Sequence, residues 1–562
     1  MFKFQICVVK SQEGFRVGLL RHPRHGTELL VDGQKGLIVC APLVSSKAHE
    51  ILRLWEDRMR GRWRHVWWSV LSRKHQQYQR SSLCVAERDL SEDEVLIRIK
   101  EMLQGRILSE QRLVSVLRQE GYWPSDISRA LDLGVHRAEL NQVPGFATGA
   151  WGSKICSRCQ SEDAKTAPCL VCGNQDCLLC MACKTMGENR SCSTLLTLAV
   201  PNGRRNDGGG SGSAELRLAY ELTTSQRDAS NELLRFWEQE EGKALVWAAC
   251  GAGKTEVTFA LIQRVLREGG DVLFAIPRQD IVREMTERLR SAFPDVTVAS
   301  HYGGQPWLAP GTLVVATTHQ VLHFYQRFDL AILDEVDAFP YQGNEMLQLG
   351  LLRALLPKGK LVEMTATPHS HRDYDRVITI PARYHGFALP EPRLLKLELP
   401  HWNKLEPADL SSSLMEMLQD NRHPWLVFAP TIAACSRLQE TLTKALGKTI
   451  GVCHSKAPDR SETVQSFKDG KLDIVVTTSV LERGVNFPGV GVIVLYADHA
   501  VFPVSALVQI AGRVGRTAES PSGTVIFAGS HITRPMKKSL ELIRKLNRQA
   551  RERGLLYNET TW

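Results

Sequence analysis

The sequence of 562 residues has no long apolar segment and no export signal. A membrane-spanning helix needs roughly 18 to 20 consecutive apolar residues, and no run of that kind occurs. The N-terminal stretch MFKFQICVVK lacks the charged start and the apolar core of a secretory signal peptide. These absences argue against a membrane-spanning protein and against a secreted one, so we expect a cytoplasmic protein.

Cysteine is sparse along most of the chain and concentrated in one short segment. Eight of the fourteen cysteines lie between Cys156 and Cys192. A disulfide framework is not expected in a reducing compartment, where clustered cysteines favour metal binding instead.

Charge is also unevenly distributed. The net charge is +9, and residues 51–80 contain eight arginines and lysines against only Glu56 and Asp57. Such an excess suits a polyanionic partner, although a run of like charges is more often a solvated face. The overall composition, with 43% hydrophobic and 23% charged residues, is that of a soluble globular protein.

The length predicts three to four domains, because a single hydrophobic core rarely grows beyond about 250 to 300 residues. Residues 201–215, PNGRRNDGGGSGSAE, are too polar and glycine-rich to bury a core and predict a flexible linker. We therefore expect a mixed α+β N-terminal region at 1–150 with helices around 45–80 and 92–120, a cysteine-rich module at 151–200, the linker, a lobe at 216–395 and a lobe at 396–562.

Beyond the linker, short apolar segments alternate with amphipathic ones. Continuous apolar runs separated by helices predict parallel strands that are buried on both faces. Two such series predict an α/β fold with two doubly wound parallel-sheet lobes in tandem. The predicted strands are 244–248, 271–276, 312–317, 330–333 and 360–364 in the first lobe, and 425–429, 450–453, 472–477, 490–496 and 523–528 in the second.

The segment AACGAGKT at 248–255 predicts a phosphate-binding loop between a strand and a helix. Ala248 stands where the strict pattern has glycine, but two glycines remain to let backbone amides approach phosphate closely. The amides at the helix N-terminus and Lys254 would face the phosphates, and the Thr255 hydroxyl would bind Mg²⁺. The predicted nucleotide contacts are Gly251, Ala252, Gly253, Lys254 and Thr255.

Two adjacent acids follow the apolar strand 330–333 in the sequence LAILDEVDAF. Asp334 can hold Mg²⁺, and Glu335 can orient or deprotonate the attacking water. Lys254, Asp334 and Glu335 together predict hydrolysis of a nucleoside triphosphate, which we expect to be ATP.

The segment QIAGRVGR at 509–516 predicts a contribution from the second lobe. Arg513 and Arg516 are three residues apart, so both can face one side of a helix. When the lobes close over ATP, their guanidinium groups would stabilise the charge that spreads over the γ-phosphate in the transition state. Hydrolysis would then be linked to lobe movement.

The cysteine segment has the spacing C-x2-C-x9-C-x2-C-x4-C-x2-C-x2-C-x8-C. Zn²⁺ takes four ligands, so eight thiolates can fill two sites, and ribbon-like spacing indicates which pairs combine. The predicted partition is Cys156, Cys159, Cys177 and Cys180 in one site, and Cys169, Cys172, Cys183 and Cys192 in the other. A single site made of two CxxC pairs, with the other cysteines free, and an iron–sulfur cluster are the alternatives.

The string DEVD at 334–337 resembles the DEAD and DEXD motifs of superfamily-2 helicases, and the resemblance extends over residues 215–535. It implies two RecA-like lobes. LTTSQ at 222–226 resembles the glutamine motif of that family, which implies that Gln226 reads adenine. QIAGRVGR resembles the final motif, which implies catalytic arginines and a nucleotide contact for Gln509.

Other short strings occupy positions where members of that family contact the nucleic-acid backbone. MTATP at 364–368 resembles the motif whose hydroxyls couple the ATP state to those contacts, and VTTSVLERGVNF at 476–487 resembles a motif that binds both backbone and nucleotide. Backbone contacts should be largely independent of base sequence and sensitive to salt. The implied residues are Pro277, Arg278, Thr317, Thr318, Thr365, Thr367, Thr477, Thr478, Glu482, Arg483 and Gly484.

A cysteine module ahead of a core that contains DEVDAFPY at 334–341 resembles the ComFA family of Gram-positive competence proteins, as does CMACKTMGENRSCSTL at 180–195. The resemblance implies an ATP-driven translocase or helicase that acts on single-stranded DNA in the uptake of transforming DNA. It implies ATP, Mg²⁺ and one or two Zn²⁺ ions as cofactors. The implied partners are ComFC and other competence proteins at the inner face of the cell membrane.

Three alternatives stay open. The motifs also resemble those of the helicase PriA, so a replication-restart or repair helicase is the first alternative. The zinc cluster of PriA interrupts the helicase core, whereas every clustered cysteine here precedes it. A zinc-bearing DNA-binding scaffold with an ATP switch is the second, and an RNA helicase is the third. The N-terminal region does not decide among them, because Trp63, Trp67 and Trp68 among arginines can stack on bases or pack in a core.

Overall fold

The computed structural model describes residues 4–11, 14–21, 30–31, 34–38, 94–149, 152–199, 214–303, 311–368, 373–420, 423–482 and 487–557. Several predictions from the sequence fall outside these ranges. They are the helix around 45–80 with its three tryptophans, the basic run at 51–80, most of the linker, and the residues Arg483 and Gly484.

The described part of the N-terminal region forms one four-stranded antiparallel sheet and contributes two strands to a second antiparallel sheet. Strands β1 (Phe4–Ser11), β2 (Gly14–Arg21), β3 (Leu30–Val31) and β4 (Gln34–Ile38) form the first, in the order β2-β1-β4-β3. The next elements are α1 (Glu94–Leu103), β5 (Leu108–Ser109), α2 (Glu110–Gln119), α3 (Pro124–His136) and β6 (Leu140–Pro144). The helix predicted around 92–120 is therefore two helices, α1 and α2, separated by a turn and the short strand β5.

The cysteine segment is built from short strands. They are β7 (Phe146–Thr148), β8 (Lys154–Cys156), β9 (Ala164–Ala167), β10 (Cys177–Cys180) and β11 (Thr194–Leu198). Strand β11 pairs with both β5 and β6, so the chain leaves the N-terminal helices, makes the cysteine segment and returns to the same sheet. The segment is thus anchored at both ends.

The first lobe is a seven-stranded, wholly parallel sheet in the order β14-β15-β13-β16-β17-β12-β18. Its strands are β12 (Lys243–Ala248), β13 (Val272–Ile276), β14 (Val298–His301), β15 (Leu313–Thr317), β16 (Phe328–Leu333), β17 (Leu355–Thr365) and β18 (Arg376–Ile380). Its helices are α4 (Thr224–Glu238), α5 (Phe259–Arg267), α6 (Gln279–Ala292) and α7 (Glu345–Ala354).

The second lobe is a six-stranded parallel sheet in the order β19-β24-β23-β20-β22-β21. Its strands are β19 (Arg393–Lys396), β20 (Trp425–Phe428), β21 (Ile450–Cys453), β22 (Ile474–Thr477), β23 (Gly491–Leu495) and β24 (Val525–Gly529). Its helices are α8 (Ser412–Gln419), α9 (Ile432–Leu446), α10 (Arg460–Lys468), α11 (Val504–Ala511) and α12 (Arg534–Glu552).

The predicted fold class, two parallel α/β lobes in tandem, is confirmed, and each of the ten predicted strands has a counterpart. Three further strands, β14, β18 and β19, were not predicted. All three lie at the margin of a sheet. An edge strand is covered on fewer sides, so it lacks the continuous apolar run of a central parallel strand.

Parallel pairing brings the functional segments to one edge of each sheet. Because every strand of a parallel sheet points the same way, the loops after β12, β13, β15, β16 and β17 all leave from the carboxyl edge, where ligands bind in open α/β folds. The segment 381–392 joins the two lobes. Within the described ranges, no helix is long and apolar enough to span a bilayer.

Candidate nucleotide site and cysteine clusters

The phosphate loop leaves β12 in a backbone conformation that its two glycines permit. Gly251 and Gly253 have φ of 83° and 72°, in the left-handed region that side chains disfavour. A Cβ at position 253 would also lie 2.3 Å from the Nε2 atom of Gln226. The predicted helix does not begin directly after Thr255, because residues 256–258 form a 3-10 turn before α5 starts at Phe259.

Gln226 ties the start of α4 to the phosphate loop. Its Oε1 atom accepts a hydrogen bond from the Thr223 amide at 2.9 Å, which completes a capping box at the helix N-terminus. Its Nε2 atom donates to the carbonyl oxygen of Ala252 at 2.9 Å. The side chain is buried, so Gln226 fixes the loop, and the adenine contact that the resemblance implies stays a prediction.

Lys254 and the two acids meet at the carboxyl edge. The ammonium group of Lys254 forms an ion pair with Asp334, which follows β16. Burial alone would lower the pKa of Lys254, but the carboxylates of Asp334 and Glu335 outweigh it and hold that pKa above its usual value. Lys254 therefore stays cationic, as a phosphate ligand must be.

Glu335 has a constrained backbone conformation, and the MTATP segment is hydrogen-bonded to DEVD. Glu335 has a φ of 55°, a conformation that costs energy in a residue other than glycine and is concentrated at functional sites. The Thr365 hydroxyl, at the end of β17, donates to Oδ1 of Asp337 at 2.7 Å. The amide of Thr367 donates in turn to the Thr365 hydroxyl at 2.9 Å. DEVD and MTATP are thus one hydrogen-bonded unit.

The second lobe supplies the wall of the nucleotide cleft that faces the phosphate loop. Helix α11 ends at Ala511, so the prediction that Arg513 and Arg516 share one side of a helix is wrong. They lie in a turn over residues 512–516, here called the arginine turn, in which Gly515 has a φ of 65°. Without a Cβ, Gly515 adopts that conformation at little cost. Both arginines nevertheless line the cleft.

The cleft between the lobes has a volume of about 340 Å³ and contains groups from both sides. Across it, Gln509 accepts a hydrogen bond from the Cys250 thiol at 3.5 Å. Arg513 donates through Nε to the carbonyl oxygen of Glu482 at 2.9 Å. Burial lowers the pKa of Arg513, but the guanidinium starts so high that it stays charged at neutral pH.

Five cleft residues lie outside every motif identified in the sequence: Tyr220, Glu256, Arg288, Tyr384 and Thr517. Tyr220 precedes LTTSQ by two residues, and its pKa is raised to about 12 by burial and by a hydrogen bond to Glu256. Arg288, on α6, forms an ion pair with the same Glu256. An aromatic residue just ahead of a glutamine motif is a signal that the sequence offered; Arg288 and Tyr384 reach the cleft only through folding.

The residues expected to contact nucleic acid cluster at the carboxyl edges but differ in exposure. Arg278 is the N-cap residue of α6 and pairs with Asp280 at 2.8 Å. Thr365 is fully buried, as is Thr477, whose hydroxyl donates to the Cys453 carbonyl oxygen at 2.8 Å. The remaining residues follow their strands as expected: Pro277 after β13, Thr317 and Thr318 at the end of β15, Thr367 after β17, and Thr478 after β22.

The eight clustered cysteines form two groups of four. The inner cluster consists of Cys156, Cys159, Cys180 and Cys183, and the outer cluster of Cys169, Cys172, Cys177 and Cys192. The partition predicted from ribbon spacing is therefore wrong, because Cys177 and Cys180 belong to different groups. These two residues begin and end strand β10. Positions three apart on a strand are about 10 Å apart and point to opposite faces, so they cannot bind one ion.

The sulfur spacing in both clusters suits a tetrahedral ion. Four thiolates at about 2.3 Å from zinc lie roughly 3.8 Å from one another. The measured Sγ distances are 3.8 Å for Cys156–Cys183 and 3.5 Å for Cys159–Cys180 in the inner cluster, and 3.7 Å for Cys169–Cys192 in the outer one. An iron–sulfur cluster places iron and sulfide atoms between its thiolates, so this spacing favours a single ion.

The inner cluster is packed against the first lobe. Its four cysteines share a buried apolar cluster with side chains of that lobe, including Leu322, Phe324 and Leu351. Two guanidinium groups flank it: Arg158 donates to Sγ of Cys183 at 3.0 Å, and Arg353 on α7 donates to the Ser157 carbonyl at 3.4 Å. One Zn²⁺ with four thiolates carries a net charge of about −2, which two arginines offset.

The two lobes, the phosphate loop, the acid pair and the arginine turn define an ATP-hydrolysing protein of the superfamily-2 helicase class. Two family descriptions match the lobes: "Type III restriction enzyme, res subunit" over residues 219–370 and "Helicase conserved C-terminal domain" over residues 409–518. "Competence protein ComFA N-terminal domain" matches residues 93–197, ahead of the lobes.

Full-length relatives identify the particular family. Competence protein ComFA of Streptococcus pneumoniae is 35% identical over 382 residues, which cover 66% of this chain and 86% of that protein. ComFA of Bacillus subtilis is 34% identical over 411 residues, 70% of this chain and 86% of that protein. The chain belongs to the ComFA family. Among solved structures, RecG bound to a three-way DNA junction aligns with 59% of this chain and 48% of its own at a TM-score of 0.42 and 19% identity.

Proposed function

We propose that this ATPase moves along single-stranded DNA and acts in the uptake of transforming DNA. The observation that carries the proposal is the cleft in which Lys254, Glu335, Arg513 and Arg516 face one another from two lobes. A nucleotide that binds both walls holds the lobes together, and its hydrolysis releases them. Repeated closure on a strand that is held by its backbone produces directed movement.

The nucleotide is MgATP, with distinct roles for the residues around it. Gly251, Ala252, Gly253 and Lys254 bind the phosphates, Thr255 and Asp334 hold Mg²⁺, and Glu335 activates water. Arg513 and Arg516 stabilise charge on the γ-phosphate in the transition state. Gln226, Gln509 and Tyr220 are assigned to the nucleoside side of the cleft, which their positions around the phosphate loop support.

The nucleic acid lies across the carboxyl edges of the two sheets. Pro277, Arg278, Thr478 and Arg483 are assigned to the DNA backbone. The other threonines are buried, so we assign them to transmitting the nucleotide state rather than to direct contact: Thr317, Thr318, Thr365, Thr367 and Thr477. Backbone recognition of this kind is independent of base sequence and weakens with salt.

Each cysteine cluster holds one Zn²⁺, and the ions stabilise the fold. We assign 1–150 as an N-terminal region, 151–200 as the zinc module, 201–215 as the linker, and 216–392 and 393–562 as the lobes. The boundary expected between 395 and 396 moves to the start of β19, because β19 pairs with β24 of the second lobe. The names of the relatives, competence protein ComFA, support a role in transformation. We propose the inner face of the cell membrane as the place where the protein acts. ComFC and other competence proteins are the partners to test there.

The test is the ATPase rate of the full chain with single-stranded DNA, duplex DNA and RNA, for the wild type and Glu335→Gln. We expect strong stimulation by single-stranded DNA alone, and Glu335→Gln should bind ATP but turn over at least about 100-fold more slowly. Glu345→Gln, an exposed carboxylate on α7, is the matched control and should be unchanged. Stimulation by duplex DNA alone would overturn the proposal, and equal stimulation by RNA would overturn the substrate class.

A replication-restart or repair helicase would use the same two ATP-hydrolysing lobes. An assay of strand displacement therefore distinguishes that alternative from the uptake proposal. The uptake proposal expects translocation without processive separation of a forked duplex, and efficient displacement would favour the alternative. In the scaffold alternative, ATP turnover is dispensable. Transformation that survives Lys254→Ala but not the loss of a cysteine cluster would favour the scaffold.

A further inference from the structure

A buried arginine outside the motifs joins the two walls of the cleft. Arg383 lies in the segment that connects the lobes, three residues after β18, and is 2% exposed. Its Nε atom donates to the carbonyl oxygen of Cys250 in the phosphate loop at 3.0 Å. The other end of the same guanidinium contacts the arginine turn of the second lobe.

Three carbonyl oxygens of the arginine turn accept hydrogen bonds from Arg383. Nη1 donates to Val514 at 2.8 Å and also to Gly515, and Nη2 donates to Gly512 at 3.2 Å. A planar guanidinium with five donors in a fixed fork can hold several acceptors in a defined arrangement, which a lysine cannot. Arg383 thus determines where the turn sits relative to the phosphate loop.

The packing around Gly515 leaves the turn little freedom. A Cβ at that position would lie 2.2 Å from the Pro521 carbonyl oxygen and 3.0 Å from Nη1 of Arg383. His385, two residues after Arg383, has Nε2 3.1 Å from the Gly515 carbonyl oxygen, and its Nδ1 accepts a hydrogen bond from the Phe387 amide at 3.2 Å. Nδ1 is therefore unprotonated and Nε2 carries the hydrogen, so His385 donates to the same carbonyl.

Arg383 does not itself line the cleft, and all its hydrogen-bond partners described above are backbone carbonyls. Burying a guanidinium among neutral acceptors is costly, and Arg516 lies nearby with the same charge. Because its burial costs free energy and it lies between two functional segments, Arg383 has a positional role that an apolar side chain could not fill.

We propose that Arg383 is a positioning residue that couples the phosphate loop to the arginine turn. This proposal rests on the proposed function of Arg513 and Arg516 at the γ-phosphate. Three of its hydrogen bonds go to the turn and one to the loop, so on lobe opening Arg383 stays with the turn and releases Cys250. On closure the bond to Cys250 forms again and sets both arginines against the phosphates.

The test compares Arg383→Lys with Arg376→Lys in the full chain. Arg376, at the start of β18, also donates four hydrogen bonds, but to Glu232, Gln239 and Glu241 on the far side of the lobe. We expect Arg383→Lys to lower the DNA-stimulated kcat at least tenfold, with the KM for ATP and the Kd for a fluorescent ADP analogue within threefold. Arg376→Lys should lower Tm and leave kcat within twofold.

A double-variant cycle separates coupling from a general loss of structure. If Arg383 acts through Arg513, the kcat of the variant with both Arg383→Lys and Arg513→Lys is within threefold of the kcat of the slower single variant. If instead the two losses of kcat multiply, the coupling is overturned. An unchanged kcat in Arg383→Lys, or a fall in nucleotide affinity as large as the fall in kcat, also overturns it. If Arg513→Ala and Arg516→Ala both keep full kcat, the proposed role of the arginines fails whatever Arg383 does. If those variants are slow and Arg383→Lys is not, only the present inference fails.

Discussion

The side-chain amide of Gln226 donates to the carbonyl oxygen of Ala252 at 2.9 Å, which links the first turn of α4 to the phosphate loop. The same amide caps the helix through Thr223. Gln226 therefore has a structural role, and different substitutions can separate it from the nucleotide contact that we propose for this residue.

Gln226→Glu should weaken ATP binding and also lower stability. Its carboxylate can still accept from the Thr223 amide, but it cannot donate to Ala252, so the loop loses a buried hydrogen bond worth about 1 to 3 kcal/mol. We expect the KM for ATP to rise about tenfold and Tm to fall. Thr223→Ala is the counterpart: it removes the cap and should cost about 1 kcal/mol of stability with the KM for ATP unchanged. A lower KM in Gln226→Glu would contradict this reading.

Thr365→Val should uncouple ATP hydrolysis from DNA. Valine keeps the shape of threonine but loses the hydroxyl that bonds Asp337 at 2.7 Å and receives the Thr367 amide. We expect the DNA-stimulated rate to fall about tenfold, the rate without DNA to stay within threefold, and stability to fall by about 1 to 3 kcal/mol. Thr365→Ser keeps the hydroxyl and should restore stimulation. Failure of serine to rescue would mean that packing, not the hydrogen bond, matters.

The two cysteine clusters should differ in their importance for the ATPase. Cys159 is buried in the inner cluster against the first lobe, whereas Cys172 is half-buried in the outer cluster beside the exposed Leu170. We expect two zinc ions per chain by elemental analysis and one in either Cys159→Ser or Cys172→Ser. Cys159→Ser should lower Tm by about 10 °C and reduce ATPase activity, because several kcal/mol of metal-linked folding are lost. Cys172→Ser should keep kcat within twofold; equal effects would show that the clusters act as one unit.

Stability should fall below pH 6.5 partly through His323. Burial lowers its pKa to about 4 in the folded protein, against about 6.5 in an unfolded chain. Between these values the unfolded chain binds the additional proton, so the contribution is present above pH 6.5 and is lost as the pH falls towards 4. We expect His323→Gln to recover up to about 2 kcal/mol of the loss between pH 7 and 5, measured by urea unfolding. A pH profile of stability that is the same in His323→Gln as in the wild type would contradict this prediction.

Much of the fold was predictable because its signal is local. A central parallel strand is buried on both faces, so β13, β15 and β16 appear in the sequence as uninterrupted apolar runs. The edge strands β14, β18 and β19 carry a weaker pattern and were missed. The phosphate loop and DEVD were also recognisable, because their residue types follow from the phosphate and metal chemistry itself.

The cysteine sequence by itself determined that metal binding was to be predicted, and the tertiary structure decided which cysteines come together. Spacing alone cannot tell whether CLLC at 177–180 is a metal-binding turn or a strand. Pairing of β10 with β9 makes it a strand, which sends Cys177 and Cys180 to different clusters. The sequence likewise determined that a nucleotide would be hydrolysed. Only folding brought Arg383 between Cys250 and the arginine turn, because residues separated by more than a hundred positions meet through the packing of two sheets.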